Sequence, residues 1–192
     1  CLSLDKDHSF LEAQQEHIHD RLVQRCLEGD SSAFKQLYRL YSRSMYNVAY
    51  RLVHDEDEAE DVLQEAFISA FRSLEHYRGD ATFGAWLKRI VINKGINALK
   101  KRRLERLPED DRFDVIEEET DEFAEFPLSV EKVKAAIDQL PDGYRTVLSL
   151  YLIEGYDHGE IAEIMGISES TSKSQLNRAK KKLWEILEVQ HE

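Results

Sequence analysis

Apolar residues along this chain recur at intervals of three and four rather than two, a spacing that predicts helices nearly throughout. Phe34, Leu37, Tyr38, Tyr41, Met45, Val48, Ala49 and Leu52 fall on one face of a long amphipathic helix. Leu63, Ala66, Phe67, Ala70, Phe71 and Leu74 mark a second, with acidic and amide side chains on its other side. Gly79 and Asp80 interrupt the pattern, and a third helix is predicted from about Phe83 to Arg103. Ser129 is placed to cap a helix reaching about Leu140. Pro141, Asp142 and Gly143 read as a turn, and a further helix covers Tyr144 to Ile153. Asp157 and Glu160 have the spacing of a capping box at the head of the run DHGEIAEIM, in which Ile161, Ala162, Ile164 and Met165 are core positions. Gly166 permits a tight turn, and a last helix runs from Ser168 onward. No segment alternates with period two, so the expected fold class is all-α.

The last two helices have the layout of a helix-turn-helix, whose second helix enters a DNA major groove. Projected as a helix, Leu176, Ala179, Leu183, Ile186 and Leu187 gather on the inward side. Ser170, Thr171, Ser174, Asn177, Arg178 and Lys181 fall opposite them, with Lys173 at the edge. Short hydroxyl and amide groups near the helix start reach base edges, while Arg178, Lys181 and Lys182 suit phosphates. No acidic residue lies between Lys173 and Leu183 to cancel that charge. The competing reading is a solvated basic surface on an ordinary helical hairpin.

In the helix from Phe83 the polar positions are the informative ones. Trp86, Arg89, Asn93, Asn97 and Lys100 step by three and four along an otherwise largely apolar helix. Two amides, an arginine and an aromatic on one line suit hydrogen bonding to bases together with stacking. Lys100, Lys101, Arg102 and Arg103, with Arg106, add phosphate-binding charge, and equally complement the negative end of the helix dipole. The preceding loop, Tyr77 to Phe83 with Arg78, offers aromatic rings to an unstacked base, although Tyr77 and Phe83 serve a core equally well.

Composition confines these readings. The formal net charge is −12, which argues against attraction of nucleic acid to the whole surface and leaves binding to local charge. From Glu109 to Glu125 there are ten acidic residues and one basic residue, a block that reads as a solvated linker. The expected organisation is an N-terminal extension over 1–19, a helical domain over 20–106, an acidic flexible linker over 107–128 and a smaller helix-turn-helix domain over 129–188. Two cysteines with no CxxC pair or zinc spacing argue against a disulfide framework or metal site and fit a reducing cytoplasm. No apolar run approaches the ~20 residues of a membrane span, so no membrane partner is expected. Scattered histidines, no glycine-rich phosphate loop and no paired nucleophile and base predict neither an enzyme nor a cofactor. The chain opens on Cys1, and whether residues precede it stays open.

Three runs, in order and at this spacing, resemble the extracytoplasmic-function (ECF) sigma factors of bacterial RNA polymerase. They are DEAEDVLQEAF at 57–67, FGAWLKRIVIN at 83–93, and the stretch from Leu140 to Leu183 that contains KSQLNRA at 173–179. The resemblance implies a polymerase-binding helix that uses Asp61, Gln64 and Glu65 to dock on the β′ clamp helices; a plain solvated acidic face is the alternative. It assigns Tyr77, Arg78, Phe83, Trp86, Arg89, Asn93, Asn97, Lys100 and Lys101 to the minus-ten element of promoter DNA. Ser170, Thr171, Lys173, Ser174, Asn177, Arg178 and Lys181 go to the minus-thirty-five element. The implied partners are core RNA polymerase, including its β flap, promoter DNA and a restraining anti-sigma factor. One departure stands out: Ser172 occupies a position where the family usually has a β-branched apolar residue, which is expected to weaken inward packing. The acidic linker is expected to mimic nucleic acid, either in the polymerase RNA channel or over the basic helices. Rival readings are a stand-alone DNA-binding regulator and a helical protein-interaction adaptor.

Overall fold

The computed structural model of the chain describes residues 19–105 and 129–189, and every regular element among them is helical. Helix α1 covers 19–27, α2 Ser31–Val53, α3 Glu56–Arg72 and α4 Phe83–Glu105. Then come α5 (Val130–Asp138), α6 (Asp142–Leu148), α7 (His158–Met165) and α8 (Glu169–Val189). Residues 1–18 of the expected N-terminal extension and the whole of the expected linker, 107–128, lie outside the described residues. Two compact units divide the chain between Gly95 and Ile96, inside α4.

Short polar residues set the helix boundaries in the first unit. The Asp30 carboxylate caps α2 by accepting from the Ser32 N–H at 2.8 Å. Hydrogen bonds from Arg25, the closer at 2.6 Å, hold that carboxyl down at about 2. At the other end of α2, His54 turns left-handed at φ 53°, and Asp55 at once caps α3 through the Glu58 N–H at 2.8 Å. Helices α2 and α3 pack along their length, burying Leu37, Val48 and Leu52 from one and Val62, Leu63 and Phe67 from the other. Ring pairs Phe34–Phe71 and Tyr38–Phe67, each 4.8 Å between centroids, tie the two helices across that seam. Two glycines of α4 admit close neighbours: a Cβ at Gly95 would lie 2.9 Å from Leu52 Cδ1, and one at Gly84 2.8 Å from Tyr41 Cε1. Helix α1 was not evident in the sequence, since only Leu22, Val23 and Cys26 of it are buried. Leu74, expected on the face of α3, is buried in a separate 3-10 turn.

In the second unit α5, α6 and α7 pack on α8 around Leu140, Val147, Leu148, Leu150, Ile161, Leu176 and Ala179. Ser129 caps α5 through the Lys132 N–H, and Asp157 and Glu160 form the expected capping box on α7. Such a cap contributes about 1 kcal/mol. Gly166 ends α7 left-handed at φ 71°, as the tight turn requires. Asp142 and Gly143, expected in a turn, instead form the first turn of α6, with Pro141 at the cap position. The reason is electrostatic: a carboxylate is favoured at a helix start, and Asp142 also accepts from Arg145 one turn on. The helix expected as far as Ile153 changes pitch at Ser149, and Ser149–Ile153 form a π-helical segment.

Candidate nucleic-acid interface

Helix α8 starts at a hydroxyl cap. Ser168 Oγ accepts from the Thr171 N–H at 3.0 Å and lies 2.9 Å from Ser170 Oγ and 2.7 Å from Thr171 Oγ1. Ser170, Lys173, Ser174, Asn177 and Lys181 are exposed along the helix, with Thr171 and Arg178 half-buried beside them. The seven residues expected to face DNA therefore share one rigid face. Lys173 pairs with Glu169 at 2.9 Å, and that hydrogen bond and charge push its pKa up. An exposed pair of this kind is worth little and yields readily to a phosphate. Ser172, Gln175, Leu176, Ala179 and Leu187 are buried on the opposite side.

Helix α4 presents the second face. Asn93, Asn97, Lys100 and Lys101 are exposed, and Trp86 and Arg89 are half-buried, so the expected stripe lies along the open side while Leu87, Val91, Ile92 and Ile96 are buried. The loop before it folds on itself: Tyr77 Oη donates to the Ala81 carbonyl at 2.8 Å. Tyr77 lies 5.3 Å from Trp86 and 5.8 Å from Phe83, and Tyr41 meets Phe83 at 5.3 Å. Burial, followed by Tyr77 and Asp20, pushes the Tyr41 phenol up to about 12. One expectation is corrected. Phe83 is only 1% exposed, so its ring offers no face to a base and instead supports Tyr77 and Trp86 from below. The sequence left both roles open because an aromatic at a helix start serves either one. Arg78 is exposed at the tip of the loop.

Asp61, Gln64 and Glu65 all lie exposed on α3. Glu65 meets Lys94 of α4 at 3.4 Å with two thirds of its side chain still in solvent. Beside Gln64, a shallow groove between α2 and α3 is lined by Tyr38, Arg43, Tyr46, Glu60 and Leu63. Burial and then the charges of Glu56 and Glu60 push the Tyr46 phenol up. No group of three His, Cys, Asp or Glu side chains among the described residues is arranged to hold a metal. No helix among them is long and apolar enough to cross a membrane.

The described residues thus present two polar faces on helices and an acidic face on a third. The model of Sigma-70 region 2 matches residues 37–105, and that of Sigma-70, region 4 matches residues 131–183. The RNA polymerase sigma-H factor of Pseudomonas aeruginosa is 36% identical over 183 residues, covering 88% of this chain and 93% of that protein. The ECF RNA polymerase sigma-E factor of Escherichia coli is 34% identical over 172 residues, covering 83% and 88% respectively. Among solved structures, the sigma factor RpoE in complex with the anti-sigma factor NepR from Bartonella quintana is 27% identical, with a TM-score of 0.54 over 81% of this chain and 97% of that one. CnrH in complex with the cytosolic domain of CnrY is 25% identical, with a TM-score of 0.53 over 89% and 97%. The chain belongs to the ECF group of the sigma-70 family. Family membership makes it a non-catalytic transcription protein.

Proposed function

We propose that this chain is the promoter-specificity subunit of a bacterial RNA polymerase, acting in the cytoplasm. The observation that carries the reading is the outward face of α8, where hydroxyl, amide and basic side chains stand together on a helix-turn-helix with no acid from Lys173 to Leu183. In this reading Asp61, Gln64 and Glu65 dock the domain over 20–106 on the β′ clamp helices of core polymerase. Tyr151, Leu152 and Ile153, exposed in the domain over 129–188, supply apolar surface for the β flap. The face of α8 reads the minus-thirty-five element as duplex, through base edges near Ser170, Thr171, Ser174 and Asn177 and through phosphates at Lys173, Arg178 and Lys181.

Opening falls to the other face. Tyr77 and Trp86 stack on bases freed from the minus-ten element, Asn93 and Asn97 hydrogen-bond to them, and Arg78, Arg89, Lys100 and Lys101 hold the strand. The energy lost in unpairing is offset by stacking and hydrogen bonds within the protein. The synthesis chemistry itself belongs to the polymerase. An anti-sigma protein is the expected restraint, since two of the solved relatives are held by partner proteins.

The test is in vitro transcription by purified core polymerase on a genomic promoter library, with and without the chain. Start-site selectivity gained only with the chain is expected. Failure of core enzyme to bind it, or tight binding to a palindrome without polymerase, overturns the reading. Asn93→Ala and Asn97→Ala are expected to leave duplex binding intact while reducing permanganate reactivity of promoter thymines. Full reactivity in both variants would remove these amides from the opening step.

A further inference from the structure

Ser172 sits inside the helix-turn-helix with no exposed surface, at a position flanked by two residues of the DNA-facing side, Thr171 and Lys173. A hydroxyl buried there costs free energy unless it is hydrogen-bonded. Its partner is the imidazole of His158, the first residue of α7, whose Nδ1 lies 2.9 Å from Ser172 Oγ. The same ring is stacked on Tyr151 of the π-helical segment, with 4.7 Å between centroids and 21° between planes. One imidazole thus joins three elements: the π segment, the supporting helix and the reading helix. A β-branched apolar residue at 172 would hold its neighbours by dispersion contacts, which set a distance but no bond angle. A hydrogen bond, which weakens steeply as its angle closes, is directional.

We propose that His158 is a positioning residue for base recognition, fixing the rotation of α8 about its own axis through its bond to Ser172. The proposal rests on the reading of α8 as the promoter reader. Side-chain tips lie about 5–6 Å from a helix axis, so a 10° turn moves them by about 1 Å. That displacement breaks a hydrogen bond to a base edge. It leaves a flexible Lys181 within reach of its phosphate. Loss of the His158–Ser172 bond therefore costs discrimination between sequences and leaves the electrostatic part of binding in place.

The experiment uses polymerase holoenzyme carrying the full chain and a duplex pool randomised across the upstream promoter element. Sequencing of the bound fraction gives the enrichment of the preferred sequence over its single-base variants, and repeating it across salt concentrations gives the salt slope. His158→Phe keeps a ring on Tyr151 and loses the bond. His158→Asn keeps a bonding group where Nδ1 stood and loses the stack. Expected are about fivefold loss of discrimination in His158→Phe and Ser172→Ala, recovery in His158→Asn, and an unchanged salt slope in all. The double variant His158→Phe/Ser172→Ala is expected to lose no more than either single one, as for two groups acting through one bond. Ser172→Val, which refills the core, is expected to fold well and still lose discrimination, so the test survives if Ser172→Ala is unstable. Undiminished discrimination in His158→Phe, additive losses in the double variant, or recovery by Phe rather than Asn overturns the proposal. A wild-type holoenzyme without any upstream preference would instead overturn the reading of α8 itself.

Discussion

Arg145 is only 3% exposed, donating Nη1 to the Leu140 carbonyl at 2.9 Å and Nη2 to Asp142 Oδ1 at 2.6 Å. Burial of Asp142 opposes its ionisation, but hydrogen bonds and charge from Arg145 and Arg102 outweigh it and hold the carboxyl below the usual range. A carboxyl depressed in the folded state stabilises at pH values above the ordinary carboxylate pKa, and that contribution is lost as pH falls through the folded value. Asp142→Asn is therefore expected to cost about 2 kcal/mol near pH 7, less than for a fully buried pair because Asp142 is part exposed. The deficit shrinks below about pH 4. Denaturation of both proteins at neutral and acid pH checks it, and a deficit independent of pH would assign the loss to packing. On α8, Arg178→Ala and Lys181→Ala are each expected to weaken promoter binding and flatten its log–log salt dependence by roughly one unit. An unchanged slope places that residue away from phosphate. The basic residues were legible because helical spacing alone puts them on one side. The Arg145–Asp142 pair was not, since nothing local distinguishes a buried arginine from a solvated one.

At the scale of elements, α4 does two things at once: it packs closely on α2 and holds a polar stripe in the open. Gly95 is one of two points of close approach to α2, with Leu52 itself buried beneath it. In an exposed helix, Gly→Ala gains about 1 kcal/mol of helix propensity. Here the added methyl meets Leu52 Cδ1, and overpacking of about 1–3 kcal/mol offsets the gain. Gly95→Ala is expected to lower the thermal midpoint, and the pair Gly95→Ala/Leu52→Val to recover most of it. A single substitution that raises the midpoint would show that Leu52 has room to move. The long helices were legible because a wide apolar stripe over five or six turns tolerates few alternatives. The break at Ser149 was missed because the π-helical segment is a single turn, too short to shift the apolar pattern of the helix it extends.

For the molecule as a whole, the net charge of −12 coexists with two helices rich in basic residues because the positive charge is segregated. The acidic stretch between Glu109 and Glu125 carries much of the opposing charge. Changing Glu117, Glu118 and Glu119 to Gln is expected to strengthen DNA binding by the free chain severalfold at low salt, and to lose that effect as screening rises. Equal binding at every salt concentration would dissociate the stretch from DNA. At this scale the family is legible in three short runs, in order, between residues 57 and 183.

What the sequence determined by itself is the set of faces. Helical periodicity decides which residues share a side, and the side chains on that side decide whether it suits phosphate, base or a protein partner. What only the tertiary structure decided is depth and company. Phe83 stood among the candidates for base contact and lies in the core, because the loop from Tyr77 and the ring of Tyr41 close over it. Ser172 read as a weakness and is a bonded joint, because His158, fourteen residues earlier, is brought to its hydroxyl. Periodicity is a property of one helix, whereas burial and pairing are set by whichever other element arrives against it.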